Sequence, residues 1–69
     1  MTPKQKIMLE AIITFIKQHK YSPSVRELCS IIGISSVSTA HGHLERLKSK
    51  GFITWEQDRP RTLKVLIEY

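Results

Sequence analysis

At 69 residues, with 41% hydrophobic and 25% charged residues, the chain has the balance of an ordinary folded domain with one small core, which excludes a disordered or fibrous protein and elaborate multi-part chemistry. Eleven basic against six acidic residues leave a net charge of +5 and a pI near 9.7, a bias that favours a polyanion such as nucleic acid or an acidic membrane surface. A single cysteine, Cys29, leaves no disulfide framework and no thiolate cluster for zinc, and no run of about 18 apolar residues is present to span a membrane.

The first predicted helix begins at Thr2, whose hydroxyl can cap orphan backbone N–H groups, with Pro3 at the first helical position where its missing N–H costs nothing. Ile7, Leu9, Ala11, Ile12, Ile13, Phe15 and Ile16 form its broad apolar surface and leave Lys6, Glu10 and Lys17 to solvent. Glu10 also interrupts the apolar patches enough to argue against a secretory signal, so a cytoplasmic location is expected. The segment His19 to Pro23 ends the helix, because Pro23 pushes Ser22 out of the helical region.

Ser24 to Glu27 has the Ser-x-x-Glu spacing of a capping box, which predicts a second helix over Val25 to Ile32. Leu28, Ile31 and Ile32 recur at i, i+3 and i+4 and are expected to be its buried face, with Cys29 as a small core residue. Gly33 suits the left-handed closing position. Ser35 and Ser36 then offer capping oxygens for a third helix with a buried stripe of Ala40, Leu44 and Leu47, Val37 at its edge and Gly51 at its end.

After Gly51, the segments Phe52 to Trp55 and Thr62 to Leu66 are rich in β-branched and aromatic residues, and the intervening Glu56 to Arg61 is polar and contains Pro60. They predict a β-hairpin with a basic tip. The expected fold is therefore mainly α with a small β-hairpin: a winged helix-turn-helix over residues 1–69.

Stepping the third helix by about 100° per residue places Ser38, Gly42, Glu45 and Ser49 opposite its apolar stripe. Thr39 and Arg46 flank them on one side and His41 on the other. A helix enters the DNA major groove only if its outward side chains are short or flexible. Gly42 fits this, since a mid-helix glycine otherwise costs about 1 kcal/mol relative to alanine. Ser36 and Ser38 lie where the helix N-terminus favours a phosphate, and His41 can reach a base or phosphate. His43 is open to either a packed or a contacting role.

His41 and His43 point about 200° apart on a helix, the wrong spacing for one metal ion, so no metal or cofactor is expected. Glu45 faces the proposed phosphate side, where a carboxylate is repelled unless it accepts from a cytosine amino group or pairs with Arg46 or Lys48, and pairing is expected. Arg46, Lys48, Lys50, Arg59, Arg61 and Lys64 surround the groove face and could neutralise phosphates as a set.

The words SPSVREL at Ser22 to Leu28, Ser38-Thr39, His41-Gly42-His43-Leu44, Arg46-Leu47, Lys50-Gly51 and Arg59-Pro60-Arg61 together resemble the N-terminal DNA-binding domain of the LexA-type SOS repressors, especially the form in Bacillus-like bacteria. The resemblance covers nearly the whole chain. It implies a third helix reading a palindromic operator with GAAC-like half-sites, and a wing touching the backbone or minor groove. Position by position it implies reading by Ser36, Ser38, Thr39, His41 and Gly42, with Arg46 and Arg61 nearby.

Family members continue into a second domain that dimerises and carries a Ser-Lys self-cleavage site, whereas this sequence stops at Tyr69. No catalysis is expected of it, and tight binding is expected to need two copies on adjacent half-sites. It reads as either an excised domain or a free-standing small relative from a phage or other mobile element. The expected partner is double-stranded DNA, with no membrane and no small-molecule substrate. The rival from another class is a protein-interaction module that pairs with another repressor or with itself, motivated by Phe52, Trp55, Leu66, Ile67 and Tyr69.

Overall fold

The structure, a computed structural model, describes residues 2–67. Its elements follow in the order α1 (Pro3–His19), α2 (Val25–Ile32), α3 (Val37–Ser49), β1 (Ile53–Thr54) and β2 (Lys64–Val65). Three helices and a two-stranded antiparallel hairpin make the winged helix-turn-helix expected from the sequence.

Thr2 and Gln5 start α1 with a reciprocal capping box, the Thr2 hydroxyl accepting from the Gln5 N–H at 3.2 Å and the Gln5 side-chain oxygen from the Thr2 N–H at 3.4 Å. The buried line of α1 is Gln5, Met8, Leu9, Ile12 and Phe15, a narrower stripe than the apolar composition suggests. Ile7 belongs to the expected apolar surface but is exposed. Five residues from Ile12, it is turned about 140° around the helix, away from α2 and α3.

Ser24 and Glu27 form the expected capping box of α2, with bonds of 3.1 and 2.9 Å. Its buried face is Leu28 and Cys29, with Ile32 half-buried. Ile31 is corrected to a surface residue, 55% exposed. Val25, Leu28, Cys29 and Ile32 fall within one arc of the helix, and Ile31 falls outside it. Gly33 closes α2 at φ 75°, and the Ile34 N–H reaches back to the Cys29 carbonyl at 3.0 Å.

Ser36, rather than Ser35, caps α3 by accepting from the Thr39 N–H at 3.3 Å. Ala40, Leu44 and Leu47 are all buried, as the stripe predicts. The end of α3 is one residue earlier than expected: Lys50 is the cap, still right-handed, and Gly51 follows at φ 82°. The Gly51 and Phe52 N–H groups then bond the Lys48 and Leu47 carbonyls, each at 3.0 Å. This double closure turns the chain directly into the hairpin.

Among the described residues the ladder is short, pairing Ile53 with Val65 and Thr54 with Lys64. Beyond it a side chain takes over. The Thr62 hydroxyl accepts from the Glu56 N–H at 2.9 Å and lies 2.9 Å from the Arg59 carbonyl, to which it donates. This consumes polar groups that a longer ladder would use, so the strands stop short of the expected segments. Ile53 and Leu63 are buried and close the core formed by Met8, Leu9 and Ile12 of α1 with α2 and α3.

Candidate nucleic-acid interface

Ser36, Ser38, Thr39, His41, Gly42, Glu45, Arg46 and Ser49 are all exposed. The side of α3 opposite Ala40, Leu44 and Leu47 is therefore a continuous surface of mostly small polar residues. At Gly42 a β-carbon would meet no heavy atom within 4 Å beyond its chain neighbours and the local helix backbone. Nothing within the fold requires a glycine there. At the start of α3, Ser36 satisfies the Thr39 N–H. The Val37 and Ser38 N–H groups belong to the first turn and have no partner within the helix, so they face outward with the positive end of the helix dipole.

His41 borders a groove between α3 and the hairpin loop, together with Leu44, Trp55, Asp58 and Arg61. His43 is half-buried and does not line this groove. The histidine beside the wing is thus His41, at the junction of helix and hairpin.

The six cations proposed around this face differ sharply in what holds them. Arg46 is exposed and has no ion pair among the described residues. The Lys48 ammonium sits 4.3 Å from the Trp55 ring centroid, a cation–π contact that fastens α3 to the hairpin. Lys50 donates to the Gln5 side-chain oxygen at 3.2 Å. Lys64 lines the cleft between α1 and β2 with Ile13 and Ile16.

The two wing arginines are both ion-paired, in different settings. Arg59 lies 3.3 Å from Glu56, with side chains 73% and 63% exposed. Arg61 lies 2.6 Å from Glu27, with side chains 44% and 36% exposed. Arg61 also donates to the Ser22 carbonyl at 3.3 Å and lies 5.1 Å from the Tyr21 ring centroid. The Ser24 backbone N–H, with Arg61 beside it, holds the Glu27 carboxyl below the usual carboxylate range.

The expected pairing of Glu45 is not formed. Among the described residues Glu45 has no ion pair. Arg46 is adjacent in sequence and points elsewhere on the helix, and Lys48 is turned onto Trp55. Sequence reasoning also missed Tyr21 and Glu27 as partners of the wing. The capping role of Glu27 is local and legible, but its second role depends on a residue from the far end of the chain.

Of the residues that motivate a protein-interaction reading, Phe52, Trp55 and Ile67 pack against the core. Leu66 is exposed, and Tyr69 lies outside the described residues. Among the described residues no helix is long and apolar enough to cross a membrane.

Comparison with known proteins agrees with this geometry. The family model described as "LexA DNA binding domain" matches residues 1–62. The chain is similar to the LexA repressor of Caldicellulosiruptor saccharolyticus, 44% identical over 66 residues, which are 96% of this chain and 33% of that protein. It is also similar to the LexA repressors of Pelotomaculum thermopropionicum, 46% identical over 66 residues (96% and 32%), and Limosilactobacillus reuteri, 44% identical over 62 residues (90% and 30%). The chain spans about one third of the length of these curated relatives.

Proposed function

Since the chain belongs to the LexA DNA binding domain family, we propose that it reads one half-site of a palindromic duplex operator and acts as a transcription repressor, or as a competitor of one, at SOS-type operators. The observation that carries this reading is the outward face of α3, where Gly42 has open space around it and Ser38, Thr39, Glu45 and Arg46, three and four positions away on the helix, are all exposed. A glycine there lets the helix backbone approach base edges, and no packing demand competes for it.

Ser38, Thr39 and His41 contact bases beside Gly42, and Ser36 with the free first-turn N–H groups of α3 takes a phosphate. Arg46 contacts the backbone at the other end of the face. Arg59 supplies the wing cation: its exposed pair with Glu56 is weak and can open toward a phosphate. Lys48 acts chiefly through Trp55. Two copies on adjacent half-sites supply the affinity that one small module lacks. Such a protein works where the DNA is, in the cytoplasm, and performs no chemistry of its own.

The interaction-module reading has less support, because Phe52, Trp55 and Ile67, three of the apolar residues that suggested it, pack against the core. The deciding experiment titrates a labelled palindromic duplex with GAAC-like half-sites against a scrambled duplex at two salt concentrations. Preference for the palindrome at both concentrations is expected, and equal affinities sink the reading.

A further inference from the structure

Arg59 and Arg61 flank one proline, carry the same charge and belong to the same wing, yet their surroundings differ. Among the described residues the hairpin ladder holds two residue pairs, with the Leu66 N–H bonding the Phe52 carbonyl beyond them, and the Thr62 hydroxyl ties the loop from Trp55 to Leu63 only to itself. Something else must set where that loop lies. Arg61 is held in the left-handed region at φ 59°, disfavoured for a residue with a β-carbon. From there its guanidinium crosses to a different part of the molecule. It meets Glu27 at the first turn of α2, the Ser22 carbonyl in the turn before it, and the ring of Tyr21. Ser22 and Arg61 are 39 positions apart in the chain.

The Glu27 oxygen that receives Arg61 is the same one that accepts the Ser24 N–H in the capping box. One atom therefore joins the start of the helix-turn-helix to the wing. An arginine so placed has its charge answered by a carboxylate and one terminal nitrogen committed to both Glu27 and Ser22, which ties its side chain to the start of α2.

We propose that Arg61 is a positioning residue: held by Glu27, Ser22 and Tyr21, it anchors the hairpin to the start of α2 and so sets where Arg59 and the loop tip meet DNA. This rests on the DNA-reading function above. It divides the two arginines into an anchor and a contact. Lys48 on Trp55 steadies the strand side of the same hairpin.

The test uses the full chain and the palindromic duplex, with affinity measured across a salt series, for Arg59→Gln, Arg61→Gln, Arg61→Lys, Glu27→Gln and the Arg61→Gln/Glu27→Gln double variant. Glutamine at position 27 keeps an acceptor for the Ser24 N–H, so the cap survives. Arg59→Gln is expected to lower the slope of log affinity against log salt by about 1, as for one lost phosphate contact. Arg61→Gln is expected to weaken binding roughly three- to fivefold at unchanged slope, in line with losing a partly sheltered ion pair. Glu27→Gln should weaken binding by a similar factor although it removes a negative charge. Arg61→Lys should not restore affinity, and the double variant should be no weaker than either single one.

The proposal is overturned if Glu27→Gln binds as tightly as the unaltered chain or more tightly, or if Arg61→Gln lowers the slope by about 1 and Arg61→Lys restores it. Amide exchange of the free proteins supplies a reading that does not depend on DNA. Faster exchange confined to the hairpin supports the anchor, whereas equal loss of protection through α1 and α3 overturns it. If the unaltered chain shows no preference for the palindrome, the DNA reading fails first, and hairpin exchange still decides whether Arg61 holds the wing.

Discussion

The Lys50 ammonium donates to the side-chain oxygen of Gln5 at 3.2 Å, joining residues 45 positions apart. Gln5 is buried, and the same oxygen accepts the Thr2 N–H. One amide thus caps α1 and receives the end of α3, so the first and last turns of the helical layer depend on each other.

Gln5→Ala should therefore destabilise the chain by about 1–3 kcal/mol, because the Thr2 N–H and the Lys50 ammonium both lose their acceptor. Gln5→Glu should cost much less, since a carboxylate can accept from both partners. Urea unfolding followed by circular dichroism measures both, and equal midpoints for the two variants would count against the shared role of that oxygen.

Glu27 makes stability depend on acidity. Its folded carboxyl is held below the ordinary range by the Ser24 N–H and then by Arg61, so the folded state binds this proton less readily than the unfolded chain. The stabilisation is present above the ordinary glutamate pKa of about 4.3 and is lost as pH falls through the lowered folded value. Unfolding midpoints of the unaltered chain and Glu27→Gln, compared from neutral to strongly acid pH, should converge as acidity increases. A constant gap between them would remove Glu27 from the acid response.

Gly42→Ala separates fold from function. Outside its chain neighbours and the local helix backbone, no heavy atom lies within 4 Å of the added carbon, so the free chain should gain up to about 1 kcal/mol in helix propensity. Binding to the palindromic duplex should weaken, because the methyl group stands between the helix and the bases. Thermal melting and duplex titration on the same sample measure the two effects, and a variant that is both more stable and equally tight on DNA would leave Gly42 without a reading role.

Arg46 and the Ser38–His41 segment should fail differently. Arg46→Gln is expected to weaken all duplexes alike and lower the salt slope by about 1. Ser38→Ala and His41→Ala should instead change the ranking of single-base variants of the half-site. Uniform losses from all three substitutions would end the proposed division between backbone and base contacts.

Much of the fold is legible locally. Ser24 and Glu27, Gly33, Ser36 and the Ala40, Leu44, Leu47 stripe mark helices whose bounds follow from partners three or four residues away, and the outward face of α3 follows by rotation from the buried one. Ile7 and Ile31 show where this reasoning ends. Both are apolar and helical, yet both are exposed, because composition does not say which arc of a helix its neighbours cover.

The cations show the same boundary more sharply. Sequence gives Arg46, Lys48, Lys50, Arg59 and Arg61 one charge each and no means of ranking them. The folded chain puts Lys48 on an indole, Lys50 on an amide and Arg61 on the carboxylate that caps α2, and leaves Arg46 without an ion pair among the described residues. Caps and helix periodicity are satisfied within one turn and can be read along the chain. The availability of a charge depends on which acceptor lies within a few ångströms, and for Lys50 and Arg61 that acceptor comes from a distant stretch of sequence brought close only by folding.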